Sequence, residues 1–140
     1  MGIQLTRILL SKGEIINQEI ESIEKIIENI KKQREWLHSQ NIDELLEFFA
    51  KLGKYWAENF SKEIGVNSKH LISFLSKENL GKKLDISLRG NRSVLEKFMD
   101  LNDPKLLFHA QPRGIVVHWI AGNVDILGVF SVVQAIITKN

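Results

Sequence analysis

Gly122-Asn123 is the pair with the clearest chemical promise in this chain. An asparagine amide can donate its hydrogens to a developing oxyanion. The glycine before it permits a tight backbone turn. Upstream, Ile115-Val-Val-His-Trp-Ile120 has the β-branched and aromatic content of a buried strand; downstream, Ile126 to Thr138 is apolar on nearly every side, as a buried helix is. Ligands of open α/β sheets bind at the carboxyl ends of strands, where the N–H groups of the following helix also point. The same asparagine would equally serve as a helix N-cap, and spacing leaves both roles open.

Other chemistries find less support. His38, His70, His109 and His118 are not paired at helical ligand spacing and have no carboxylate cluster beside them, so no metal centre is expected. His118, on the predicted strand, is expected to be a hydrogen-bonded core or interface residue. Gly114, Gly122 and Gly128 lack the spacing of a dinucleotide fingerprint, and no phosphate loop is present. The absence of cysteine excludes disulfides, thiolate metal sites and a cysteine nucleophile within these residues, and suits a reducing compartment such as the cytoplasm.

Several elements must position the Gly-Asn turn. Residues 3–16 suggest a small hairpin or an extended arm. Ile16, Ile20, Ile23, Ile27 and Ile30, continued by Leu37, predict one amphipathic helix of about 20 residues. Asn41-Ile-Asp-Glu44 is a near capping box that opens a second helix with a stripe of Leu45, Phe49, Leu52, Trp56 and Phe60. A third helix should start after Asn67 and bury Leu71, Ile72, Phe74 and Leu75, with Gly81 as a stop. A fourth should hold Val94, Leu95, Phe98 and Met99 and end before Asp103-Pro104. Leu106–Ala110 and Ile115–Ile120 are strand-like, joined by Gln111-Pro-Arg-Gly114. Residues 112–140 thus read as turn, strand, turn and helix, the opening half of a βαβ unit. A parallel strand reaches its partner only after the crossover helix, so the sequence reads as the front part of a larger protein. The expected organisation is a helical segment over 1–104 followed by the start of a cofactor-binding domain over 105–140.

Composition bounds the rest. The chain has 140 residues, 44% of them apolar and 26% charged, as in a soluble globular protein. Its net charge of +2 does not argue for nucleic acid. Residues 1–60 hold 8 Lys/Arg against 10 Asp/Glu, and residues 61–113 hold 10 against 6. Residues 115–138 are long enough for a membrane span, but Gly122, Asn123 and Asp125 lie near their middle, and an Asp at the bilayer centre costs about 3 kcal/mol. No span is therefore expected. Met1-Gly2-Ile3-Gln4-Leu5-Thr6 fits the loose myristoylation pattern, which chance matches often.

A resemblance sharpens the reading. Pro112-x-Gly114-Ile-Val-Val, then Asn123 and an apolar helix ending Gln-Ala-Ile-Ile-Thr-Lys-Asn140, resembles the first strand and helix of the aldehyde dehydrogenase superfamily cofactor domain. The Ala-Gly-Asn turn of residues 121–123 and the helical lead-in resemble more narrowly the fatty acyl-CoA reductases, of the type found in bacterial bioluminescence. The resemblance implies an α/β protein at full length, of which this segment is mostly helical with a short strand pair and the first β-α of a Rossmann-like domain. It implies NADPH-dependent reduction of a fatty acyl-CoA or acyl-protein thioester to an aldehyde through a cysteine thioester. Asn123 would steady the oxyanion, and Ile120, Ala121 and Gly122 would border the nicotinamide. It also implies a homo-oligomer at full length. Two departures stand out: Asp125 replaces a proline frequent in relatives, and no cysteine is present, so these residues alone are not expected to turn over substrate. The other reading of residues 14–100 is an independent helical interaction module whose basic part, residues 61–113, faces an anionic partner.

Overall fold

The computed structural model describes residues 8–11, 14–18, 22–60, 68–102, 105–120 and 126–140. The chain divides into two units, residues 1–33 and 34–140.

In the first unit, strands β1 (Ile8–Ser11) and β2 (Glu14–Gln18) pair antiparallel, with Leu10 opposite Ile15 and an irregularity between Ile8 and Leu10. The hairpin alternative for the N-terminal residues is thus the one observed. Helix α1 (Ile23–Lys32) follows. Ser22 starts it: its hydroxyl oxygen accepts from the Lys25 N–H at 3.3 Å and its hydroxyl donates to Glu24 at 2.7 Å. That second bond holds the Glu24 carboxyl below its ordinary pKa.

The single long helix predicted from Ile16 to Leu37 is therefore not formed. Ile16 lies in β2, and the chain leaves the helix at Gln33 before α2 (Arg34–Ser39). Isoleucine is a strand former as readily as a stripe residue, so its spacing did not decide between the two. Ser22 and Gln33 set the boundaries instead.

The second unit is built on α3 (Ile42–Asn59). Asn41 caps it as its sequence predicts: Oδ1 accepts from the Asp43 and Glu44 N–H groups at 2.9 and 3.2 Å. Glu96 accepts from the Ile42 N–H at 2.5 Å, satisfying another first-turn donor from a distant part of the chain. Leu45 and Phe49 of the predicted stripe are buried, but Ile42, Leu46 and Ala57 share the buried face and Phe60 is exposed. Against this face pack α4 (Ser68–Leu75), through Leu71 and Leu75, and α5 (Lys77–Ser87), through Leu80 and Leu84. Of the four residues expected inside α4, Leu71 and Leu75 are buried while Ile72 is exposed. Ser76 caps α5 by accepting from the Asn79 N–H at 3.2 Å.

Gly81 does not stop a helix. It is buried inside α5 beneath Arg92, where a Cβ would lie 2.9 Å from Nη1. Arg92 closes this corner. Its Nη1 donates to Asp85 at 2.8 Å and its Nη2 to Asp43 at 3.0 Å, bridging α5 and the first turn of α3. The fourth predicted helix is a single 3-10 turn (Arg92–Leu95) that buries Val94 and Leu95. Met99 belongs instead to β3 (Met99–Asp100), which pairs antiparallel with β4 (Leu107–Phe108). Phe98 is exposed.

Helix α6 (Ile126–Ile137) forms where the sequence predicts it. The predicted strand at Ile115–Ile120 does not form: the segment joins no sheet, and Val117 and Trp119 are 84% and 97% exposed. A strand is held by ladder hydrogen bonds to a neighbour, and no described strand lies beside this one. Among the described residues the fold is mostly helical, with two short antiparallel strand pairs.

Gly53 of α3 faces Leu75 of α4, and a Cβ there would lie 2.9 Å from Leu75 Cβ and 3.1 Å from its Cδ1. Gly53→Ala should lower stability by about 1–2 kcal/mol even though alanine favours the helix by about 1 kcal/mol, because overpacking outweighs propensity. Denaturant unfolding of the two proteins checks this; an alanine variant as stable as the parent would show that Leu75 yields.

Candidate functional site

Helix α6 begins three residues after Asn123 in sequence. Its C-terminal end is tied most firmly. Thr138 is followed by Lys139 in left-handed geometry (φ 62°), with Lys139 N–H donating to Ile136 at 2.9 Å and Asn140 N–H to Ala135 at 3.0 Å. This closing motif usually carries glycine at the left-handed position. Lysine stands there because its side chain has work beyond the turn. Only 3% of Lys139 is exposed, and its ammonium donates to the carbonyls of His38 (3.0 Å) and Gln40. Those carbonyls belong to the end of α2 and the entry to α3, which lack intrahelical partners. His38 Nε2 donates in return to the Lys139 carbonyl at 3.1 Å. Burial pushes the Lys139 pKa down from its ordinary value, and the charge of Glu96 opposes that shift.

Asn140 ties the start of the preceding segment to the same end. Its Oδ1 accepts from the N–H groups of Arg113 and Gly114 at 2.7 and 3.2 Å. Gly114 has φ 105°, which makes the turn after Pro112 one that glycine suits. Farther along, His118 Nδ1 and Ser131 Oγ share a hydrogen bond of 2.6 Å. The histidine is thus hydrogen-bonded and half-buried, as its sequence context predicts, although not within a strand. On another face, Phe130 stacks on Phe74 at 3.6 Å between ring centres, and the Lys83 ammonium lies 3.9 Å above the Phe74 ring.

Between α2, α3 and α6 runs a groove of about 700 Å³. Trp36 and Leu37 form one wall, Leu45, Phe49, Leu52 and Trp56 another, and Gly128, Val132 and Ile136 the third. Gln40 and Glu44 are its polar residues, at the end where α2 passes into α3. A second, shallower cleft of about 690 Å³ is lined by Lys77, Glu78, Lys82, Asp85, Ile86, Gly90 and Arg92. Its arginine is already engaged by Asp43 and Asp85, and its charges are of both signs.

Among the site residues expected from sequence, Ala121, Gly122 and Asn123 lie outside the described residues. Ile120 is 38% exposed and lines neither cavity. Its apolar side chain can offer surface to a ring but no donor to a ribose or phosphate. Among them no three His, Cys, Asp or Glu side chains come together as metal ligands, and no helix is long and apolar enough to cross a membrane. Lys139, Asn140 and the groove were missed by sequence reasoning. A Lys-Asn pair just past an apolar helix is a legible C-cap signal, but its partners at His38, Gln40 and Arg113 are not local.

A family model described as acyl-CoA reductase (LuxC) matches residues 17–140. The chain belongs to this family. It is 29% identical over 146 residues to the long-chain acyl-protein thioester reductase of Photobacterium phosphoreum, an alignment covering 90% of this chain and 28% of that protein. Over 51 residues it is 43% identical to the long-chain acyl-protein thioester reductase of Aliivibrio fischeri, covering 36% of this chain and 10% of that protein. The chain thus spans little more than a quarter of the first relative's length. No solved structure matches it. The likeness to acyl-CoA reductases, carried in sequence by residues 112–140, extends through the helical segment as well.

Lys139→Met should destabilise the second unit by about 2 kcal/mol, because two partly buried carbonyls lose their donor. The pH dependence has a definite sign. The folded-state pKa is below the unfolded value, so the unfolded chain binds the extra proton between them, and stability rises with pH through that window toward 10.5. Unfolding measured from neutral pH to pH 10.5 should show the parent gaining on the Met variant; parallel curves would contradict the buried-ammonium assignment.

Proposed function

We propose that this chain is the N-terminal part of a reductase that converts a long-chain acyl thioester, on coenzyme A or on a protein, into a fatty aldehyde with oxidation of NADPH. The observation that carries the reading is the family match over residues 17–140. Both relatives are long-chain acyl-protein thioester reductases by name, which supports the substrate class. The preference for NADPH rests on resemblance.

In this reading residues 1–104 are the helical lead-in and residues 105–140 begin a Rossmann-like domain of an α/β protein. Ile115–Ile120 would become a strand once a neighbouring strand supplied its ladder. Its β-branched residues, now exposed, suit that fate. The nucleophile is a cysteine supplied from elsewhere in a longer protein, since this chain has none. These residues alone would then be inactive. Ile120, Ala121 and Gly122 border the nicotinamide side of the site.

Asn123 donates its amide hydrogens to the oxygen of the acyl carbonyl as that oxygen gains charge. Charge develops there both when the thiolate attacks and when hydride arrives, so one fixed donor serves both steps. The reading also holds the protein to be cytoplasmic and a homo-oligomer at full length.

The test is turnover of a long-chain acyl thioester by the full-length protein, followed by coenzyme absorbance and aldehyde trapping. Asn123→Ala should lower kcat about 100-fold or more with little change in KM. Unchanged turnover would remove Asn123 from the site. A failure of the parent protein to form aldehyde from any acyl thioester would overturn the reductase reading itself.

A further inference from the structure

We propose that His118 and Ser131 are positioning residues for Asn123: their hydrogen bond sets the register in which the segment before the Gly-Asn turn lies on the helix after it. The proposal rests on the oxyanion role given to Asn123 above and adds the pair that holds that donor in place.

Two polar anchors tie the segment from Arg113 to Ile120 to α6. At one, Asn140 Oδ1 accepts from the Arg113 and Gly114 N–H groups at 2.7 and 3.2 Å. At the other, His118 Nδ1 and Ser131 Oγ share a bond of 2.6 Å. From Gly114 to His118 the chain can span at most about 13 Å when extended. Ser131 stands about 9 Å along the axis from Ile137, where α6 ends. Asn140 folds back over that end, its N–H donating to the Ala135 carbonyl at 3.0 Å. Little slack is left between the anchors, so the segment runs alongside the helix.

A polar bond is what chooses one register there. Ile115, Val116 and Ile120 attract an apolar helix without direction. From Ile126 to Ile137 the polar side chains of α6 are those of Ser131 and Gln134. On the segment, Val117 and Trp119 stand 84% and 97% exposed on either side of the half-buried His118, the alternation of an extended chain. A slip of one residue would turn His118 away from the helix, leave Ser131 without its partner and carry the chain along by about 3.3 Å.

Asn123 lies in sequence between the two bonded residues. The bond therefore sets the two ends from which its connection starts. An oxyanion donor works at about 2.7–3.1 Å from the charged oxygen. A misplacement of about 1 Å can cost about 100-fold in rate. Serine is also a weaker helix former than alanine, so Ser131 stands inside α6 against propensity.

The experiment uses the full-length protein and a long-chain acyl thioester. Ser131→Ala should lower kcat about tenfold with KM near the parent value, while Tm changes little because alanine is the better helix former. In an Asn123→Ala background the same change should cost less than about twofold, because the donor it positions is gone. His118→Asn, whose amide can stand where Nδ1 does, should keep most of the turnover that His118→Leu loses.

A Ser131→Ala variant with parental kcat, while Asn123→Ala is impaired, overturns the positioning role and leaves the reductase reading standing. So does an equal loss from Ser131→Ala in both backgrounds, which is what a merely structural bond would give. A parent protein that forms no aldehyde overturns the reductase reading and this role with it.

Discussion

One buried ammonium holds the second unit's most apolar helix in place. Helix α6 has hydrophobic residues on nearly every side, yet only Val133 and Ile137 are buried, and Leu127 and Val132 remain exposed. Hydrophobic burial is non-directional and cannot by itself select one orientation for such a helix. Lys139 supplies the direction. Its ammonium satisfies the carbonyls of His38 and Gln40 while its own carbonyl accepts from His38, so one residue joins the ends of α2 and α6 to the start of α3. The arrangement carries two local costs: a non-glycine residue in left-handed geometry and a desolvated cation. Both persist because the surrounding hydrogen bonds over-determine the site.

The polar clamp closes only the C-terminal end of α6. Asn140 and Lys139 bind around its terminus, and the His118–Ser131 bond and the Phe130–Phe74 stack each hold one face. Val133 and Ile137 join the core with Ile42, Leu45 and Phe49 of α3, and the groove runs beside them along Gly128, Val132 and Ile136.

How far this was legible in the sequence depended on whether the cause was local. Asn41 and α3 were legible because capping involves neighbours three residues apart. Helix α6 was legible from its run of apolar residues. The break at Gln33 and the strand at Ile16 were not, since isoleucine spacing satisfies a stripe and a strand equally. The Ile115–Ile120 strand was read correctly as a composition and wrongly as a structure: β-branched residues state a preference, and only a neighbouring strand realises it. Of the candidate site, Asn123, Gly122 and Ala121 were named from pattern and resemblance and lie outside the described residues, while Lys139 was invisible because its partners lie about a hundred residues away in sequence.

The three glycines inside described helices show why residue type alone could not settle these questions. Each weakens its helix by a similar amount relative to alanine. At Gly53 the missing side chain lets Leu75 of α4 approach α3, so the compensation is packing. At Gly81 it makes room for the guanidinium of Arg92, so the compensation is an ion pair with Asp43 and Asp85. At Gly128 no described atom moves in. A rule that read Gly81 as a helix stop was using the one property, conformational freedom, that none of these three positions requires.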